Sequence, residues 1–183
     1  MDSKIEKQFA KFEADRNQLI QYLNSIDPNV LTQKPNPSTW SVVQVISHLI
    51  KVEEGTMRYI RKKLSFNPEL KKAGILNAVR SFIINTSLAI PSKAKAPAAL
   101  EETSNKVSYQ EAISQWEACR GNMKTLFEEL TETELGAAVY RNPLVGKISI
   151  YQQVSFLQKH YERHLKQINN IIQKVNAQTT EVG

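Results

Sequence analysis

The chain has one cysteine, Cys119, and three histidines in 183 residues. A lone thiol cannot close an intramolecular disulfide, and it excludes a zinc framework built from cysteine pairs. No stretch approaches the roughly 18 consecutive apolar residues of a membrane-spanning helix. The opening MDSKIEKQFAKFEADRN mixes charges throughout and lacks the apolar run of a secretory leader, so the expected location is the cytoplasm. Glycine and proline are sparse, at six and seven, which leaves long stretches without a breaker. A folded chain is expected all the same, because 41% apolar and 23% charged residues is a globular balance. The length fits one domain over residues 1–183, with a flexible tail from about residue 176.

Positive charge is the main excess, with a formal net charge of +6 and a pI near 9.4. The basic residues are scattered, and only short groups such as Arg61-Lys62-Lys63 and Lys71-Lys72 stand out. A phosphate-binding surface more often gathers its bases on one face, with aromatic side chains available for stacking. The basic surface therefore reads as solvated, and neither nucleic acid nor membrane is expected as a partner.

Between the prolines, apolar residues recur at three- and four-residue intervals, which is the spacing of amphipathic helices. The first helix is expected from about Ser3 to Ser25, along Ile5, Phe9, Phe12, Leu19, Ile20, Leu23 and Ile26, with Pro28 just past its stop. Three more open on a serine followed three residues later by Gln or Glu: Ser41/Gln44, Ser108/Glu111 and Ser149/Gln152. In such a box the hydroxyl accepts from an orphan backbone N–H, and the longer side chain reaches back to the cap's own amide. These helices are expected to end near Leu64, Leu130 and Val175. The connection from Leu64 to Ser108 has helical periodicity from Pro68 to Ile90, then a surface segment rich in Ala, Pro and Lys over residues 91–106. No alternating strand pattern or β-hairpin stands out. The expected fold is all-α, a four-helix bundle with an accessory helix in the crossover between helices two and three.

The three histidines are the chemistry-bearing residues. His160 and His164 lie about 40° apart on one helix face, one turn apart along the axis, and share that face with Leu157, Ile168 and Ile171. His48 sits at the margin of its own helix's apolar stripe, on the same side as Val45, Val52 and Tyr59. If the two helices pack side by side, the three imidazoles could meet at one divalent ion and leave a coordination position open to water or substrate. An H-x-x-x-H pair also arises by chance, and a buried histidine is commonly just hydrogen-bonded. Spacing alone does not recruit His48.

The surroundings of the histidines add a resemblance. PNPSTWSVVQVISHLI, residues 35–50, resembles the P…(K/T)WS-x-x-(E/Q)-x-x-x-HL signature of the DinB-like superfamily. HYERHLKQI, residues 160–168, resembles its H-x-x-x-H-x-x-Q-I segment. The likeness spans nearly the whole chain and is weakest between Ser65 and Val107. It implies a four-helix bundle whose second and fourth helices bind a divalent metal through His48, His160 and His164, with nickel or zinc ahead of manganese or iron. Characterised relatives include enzymes that transfer bacillithiol or use mycothiol, and members are often dimeric. For this chain the resemblance implies a homodimer and a metal-dependent thiol transferase or hydrolase acting on a small molecule, such as a low-molecular-weight thiol. The alternative is a metal-stabilised binding or stress-response module without turnover.

No general acid or base is assigned. Glu53, Glu54 and Glu162 point away from the histidine faces, while Gln44 and Gln153 lie on them as pocket or supporting groups. Glu111, Glu117 and Arg120 cannot be oriented from sequence. Trp40 is expected to plug the bundle end, Trp116 to lie in the core, and Cys119 to be a buried thiol.

Overall fold

The termini of the helices follow from their capping residues. In the computed structural model, which describes residues 1–89, 107–143 and 145–181, helix α1 (Ser3–Leu23) begins where Asp2 accepts from the backbone N–H groups of Lys4 and Ile5. Those are two of the donors that a helix start leaves without intrahelical partners. Pro28 does more than follow the stop of α1, because it opens a short helix, α2 (Pro28–Thr32), with Asp27 as its cap. Proline suits that first position, where the N–H it lacks would have no partner.

Helix α3 (Val42–Leu64) opens on the complete Ser41/Gln44 box. Helix α4 (Ile75–Ala89) is the accessory helix of the crossover, while the segment expected over 91–106 lies outside the described residues. Helix α5 (Tyr109–Glu129) is capped by Ser108, but Glu111 accepts from Gln115 Nε2, so half of the expected box forms. A short helix α6 (Glu132–Gly136) follows on a Thr131/Glu134 box. Helix α7 (Ile150–Glu181) opens on both halves of the Ser149/Gln152 box, at 2.8 and 3.2 Å. It continues past the expected end near Val175, and Gln178 Nε2 donates to the carbonyl of Pro35.

The four long helices meet as a ring in which α1 and α3 each pack against both α5 and α7. Their apolar stripes fill one core, with Phe12 edge-on to Tyr161 and Phe9 edge-on to Phe127, each at 5.9 Å between ring centroids. The expected all-helical bundle is present, with one addition. Strands β1 (Tyr140–Asn142) and β2 (Gly146–Ile148) form an antiparallel hairpin in the register Tyr140↔Ile148 and Asn142↔Gly146. No β-hairpin is evident from the sequence because three-residue strands are too short to show alternation. Its local signals are Asn142-Pro143 and Gly146, whose φ of 82° lies in the left-handed region open to glycine. Among the described residues no helix is long and apolar enough to cross a membrane.

Candidate metal centre

His48 and the pair on α7 face each other across the α3–α7 contact. Val45, Ile46 and Leu49 are buried beside His48 on α3, and Leu157, Tyr161 and Ile168 flank the pair on α7, so core packing sets the rotation of both helices. His48 is 3% exposed and His164 9%, whereas His160 is half-buried. His160 Nε2 lies 3.4 Å from His48 Nε2 and 3.1 Å from His164 Nε2. One ring nitrogen from each histidine falls within 4.8 Å of the others.

Those separations fit a shared cation. Imidazole nitrogen binds zinc and similar ions at about 2.0–2.1 Å, which places two neighbouring ligands roughly 3–3.4 Å apart. The donor set is chemically suited as well, because three imidazoles from two rigid helices can bind only when neutral, and burial favours the neutral form. Burial, then the neighbouring His164, His48 and Arg163, hold the His160 pKa well below the usual histidine range. His164 is lowered to about 4 by burial, against the opposing hydrogen bond to Gln167 and with a further push from Arg163. Among the described residues no cysteine or carboxylate joins the group. The three-histidine cluster could therefore hold a metal ion.

Three further side chains shape the centre. Gln167 Oε1 lies 2.8 Å from His164 Nδ1, and an amide oxygen can only accept, so the proton sits on Nδ1 and the Nε2 lone pair faces the cluster. The Trp40 ring leans on His48 at 5.1 Å, and Phe156 stacks on His160 at 5.7 Å and 22°. Trp40 was expected as a plug at the bundle end; here it packs directly on a candidate ligand. Gln167 is the glutamine of the H-x-x-x-H-x-x-Q-I segment, though no role was read for it from the sequence; Phe156 was not singled out, and its place one turn before His160 on α7 was the available signal.

The two glutamines expected near the site hold the scaffold. Gln44 Oε1 accepts from the backbone of Ser41 in the helix cap. Gln153 takes a bond from Asn142 Nδ2 and donates to Thr56 Oγ1, which ties α7 to β1 and α3. Glu53 does point away from the histidines, toward α5, where Arg120 grips it through Nε at 2.7 Å and Nη2 at 2.9 Å. Trp116 and Cys119 lie in the core as expected, and burial together with Glu53 pushes the Cys119 thiol pKa far up, which leaves it inert. A cavity of about 540 Å³ bordered by Glu6, Glu13, Lys124 and Glu128 lies between α1 and α5 and includes none of the histidines.

The uncharacterized protein YuaE of Bacillus subtilis (strain 168) is 22% identical over 153 residues, a span that covers 84% of this chain and 90% of that protein. No solved structure matches. The family model of the DinB superfamily matches residues 11–168, from the first half of α1 to just beyond Gln167. All three histidines and their aromatic and amide neighbours fall within that span, and the chain belongs to the DinB superfamily.

Proposed function

We propose that His48, His160 and His164 bind one divalent ion and that the protein is a metal-dependent enzyme acting on a small molecule, by thiol transfer or a related hydrolytic reaction. The observation that carries this reading is the approach of imidazole nitrogens 112 positions apart in sequence to 3.4 Å. Apolar side chains would fill the same space without bringing buried polar nitrogens together, so packing alone gives no reason for the cluster.

An all-imidazole set suits nickel, zinc or iron better than the oxygen-preferring ions. A divalent ion held there supplies Lewis acidity, which makes a water or thiol nucleophilic at neutral pH. The chain's own residues prepare the place for it. Gln167 fixes the His164 tautomer, Trp40 and Phe156 cover two of the imidazoles, and the half-buried His160 leaves an approach from solvent. Three protein ligands with no fourth donor in the group among the described residues favour an open, reactive centre over a sealed structural one.

Metal analysis of protein purified without a histidine tag tests the ligand set. Stoichiometric nickel, zinc, manganese or iron is expected in the wild type and is expected to be lost when His160→Ala and His164→Ala are combined. A wild type that carries no metal, and whose melting temperature added metal does not raise, would refute the site. For turnover, conjugation of low-molecular-weight thiols to electrophiles should show a metal-dependent rate. No rate above background with any thiol would leave the non-catalytic module as the better reading.

A further inference from the structure

Helix α4 faces the wrong way for a helix that only completes the bundle. Its inner side carries Asn77, Ser81 and Asn85, four residues apart. Asn77 Nδ2 donates to the carbonyl of Lys147 at 2.8 Å, Asn85 Nδ2 donates to Ser155 Oγ at 3.3 Å, and Ser81 is buried between them. The large apolar residues face outward: Ile75 is 86% exposed, Leu76 61%, Val79 47%, Phe82 72% and Ile83 54%. At 100° per residue these five fall within a stripe of about 120°, roughly opposite the Asn77/Ser81/Asn85 row. A surface helix that serves only the core beneath it shows the reverse arrangement. The exposures leave on the order of 500 Å² of apolar surface, the size of the largest patch on a monomer and the one that most often has a function.

We infer that α4 seats the protein on an anionic lipid surface, with its apolar stripe in the boundary between headgroups and acyl chains and the surrounding lysines and arginines on the lipid phosphates. Charge decides the occupant. Basic residues that are scattered along the sequence are gathered here by the fold, and residues 70–89 and 137–149 hold five of them and no carboxylate. Lys71 and Lys72 are exposed just before the helix. Arg80 lies about 100° from the middle of the stripe, with its guanidinium beside Gly146. Arg141 and Lys147 are exposed cross-strand partners in the hairpin against which α4 packs. Among the described residues no carboxylate forms an ion pair with Lys72, Arg80, Arg141 or Lys147. Like charges directly opposite on a hairpin repel, and anionic groups seated on both relieve the repulsion. A second copy docked on the stripe about a two-fold axis would set two such basic rims against each other, whereas anionic headgroups neutralise them. An apolar stripe rimmed by Lys and Arg is the pattern of a helix that lies in the plane of a membrane interface.

This inference does not depend on the metal reading, and the combined His160→Ala and His164→Ala variant should bind vesicles like the wild type. Flotation with phosphatidylcholine vesicles, with and without phosphatidylglycerol, gives the test. The wild type should float with the mixed vesicles and not with phosphatidylcholine alone. Its bound fraction should fall as salt rises from about 0.1 M to about 1 M, where the screening length shortens from ~10 Å to ~3 Å. Phe82→Glu should stay in solution with its helical content intact. Arg141→Gln combined with Lys147→Gln should bind about 25-fold more weakly, at roughly fivefold for each charge near the surface. Tyr22→Glu, at a 43% exposed site on α1, should float like the wild type. Because Cys119 is buried, a polarity-sensitive fluorophore on Val79→Cys reports the stripe alone, and its emission should shift to the blue on the mixed vesicles, which keeps the question answerable if Phe82→Glu unfolds. No flotation, equal flotation with phosphatidylcholine alone, a Phe82→Glu protein or an Arg141→Gln/Lys147→Gln protein that floats like the wild type, or an unshifted label would each overturn the inference. Release of the wild type by free glycerophosphate would overturn it in favour of a soluble phosphate ligand. A wild type that sediments at twice the 20.8 kDa of the chain, in a dimer that Phe82→Glu abolishes, would overturn it in favour of a second copy on the stripe.

Discussion

Replacing Glu53 by alanine should cost this bundle more than any single ion pair on its surface. Arg120 and Glu53 have 1% and 2% of their side-chain surface exposed and share two short charge-assisted bonds. The guanidinium also lies 3.4 Å from the centre of the Phe12 ring, and Trp116 Nε1 donates toward the Glu53 carboxylate at 3.3–3.4 Å. Without Glu53, the carboxylate left to Arg120 among the described residues is that of Glu13, a partner 23% exposed to solvent, and the indole N–H loses its acceptor. Removing one member of a buried pair typically costs about 3–5 kcal/mol, because the other charge stays in the interior uncompensated. Glu13 offsets part of that loss, so about 3 kcal/mol is expected, or roughly 6–12 °C in melting temperature for a chain of this size. Arg61–Glu129 provides the contrast, since its side chains are 50% and 53% exposed and Arg61→Ala should cost less than about 1 kcal/mol. Urea and thermal unfolding of both variants measure the difference. Adding Arg120→Met to Glu53→Ala should recover stability by removing the stranded charge. If Glu53→Ala costs no more than Arg61→Ala, or if Arg120→Met worsens it, the interior pair does not carry the load assigned to it.

Gln167→Leu removes the acceptor that fixes the His164 tautomer, so metal affinity should fall about 10- to 100-fold in competition with a chromophoric chelator; unchanged affinity would show that packing alone orients the ring. The metal-free protein should lose stability with acid over a defined window. The folded His164 pKa of about 4 lies below the roughly 6.5 of an unfolded histidine, so between those values the unfolded chain takes up a proton that the native chain does not. His160, lowered further, acts in the same direction. Stability from these groups is fully present above pH ~6.5 and falls as the pH drops toward ~4. Unfolding free energies measured across that window should show a slope that His160→Ala with His164→Ala reduces, and an unchanged slope would place the acid sensitivity in other groups.

Much of the bundle was legible because its signals are local. Apolar periodicity and the serine caps marked the four long helices to within a few residues, except at the end of α7, where continuation past Val175 is supported by a tertiary bond from Gln178 to Pro35. The short pieces were not legible. Helices α2 and α6 span five residues each and the strands three, too few for a period to show. The α7 histidine face followed from spacing, but His48 needed the motif around it, since meeting across 112 positions is a fact of packing. Glu53 and Arg120 show the same limit from the other side. Charged residues in an apolar pattern read as solvent-facing until their partners on a neighbouring helix are known, and here those partners come from α1, α3 and α5.

Helix α3 ties these features together. His48 and Glu53 are five positions apart, which sets them about 140° around the helix, so α3 presents an imidazole to α7 on one flank and a carboxylate to α5 on the other. Thr56, one turn beyond Glu53, adds a second link to α7 by accepting from Gln153. A helix gripped on two flanks has little freedom to roll, and rolling is the motion that would carry His48 Nε2 away from the pair on α7. Binding that needs three nitrogens positioned to within about half an ångström depends on that restraint, because the ion cannot recover ligands that the scaffold lets drift. The ion pair 67 positions apart in sequence would therefore support the proposed three-histidine site without touching it. Glu53→Ala should accordingly weaken metal binding as well as stability, and a variant that lost stability but kept full metal affinity would show that the α7 contacts alone hold His48 in place.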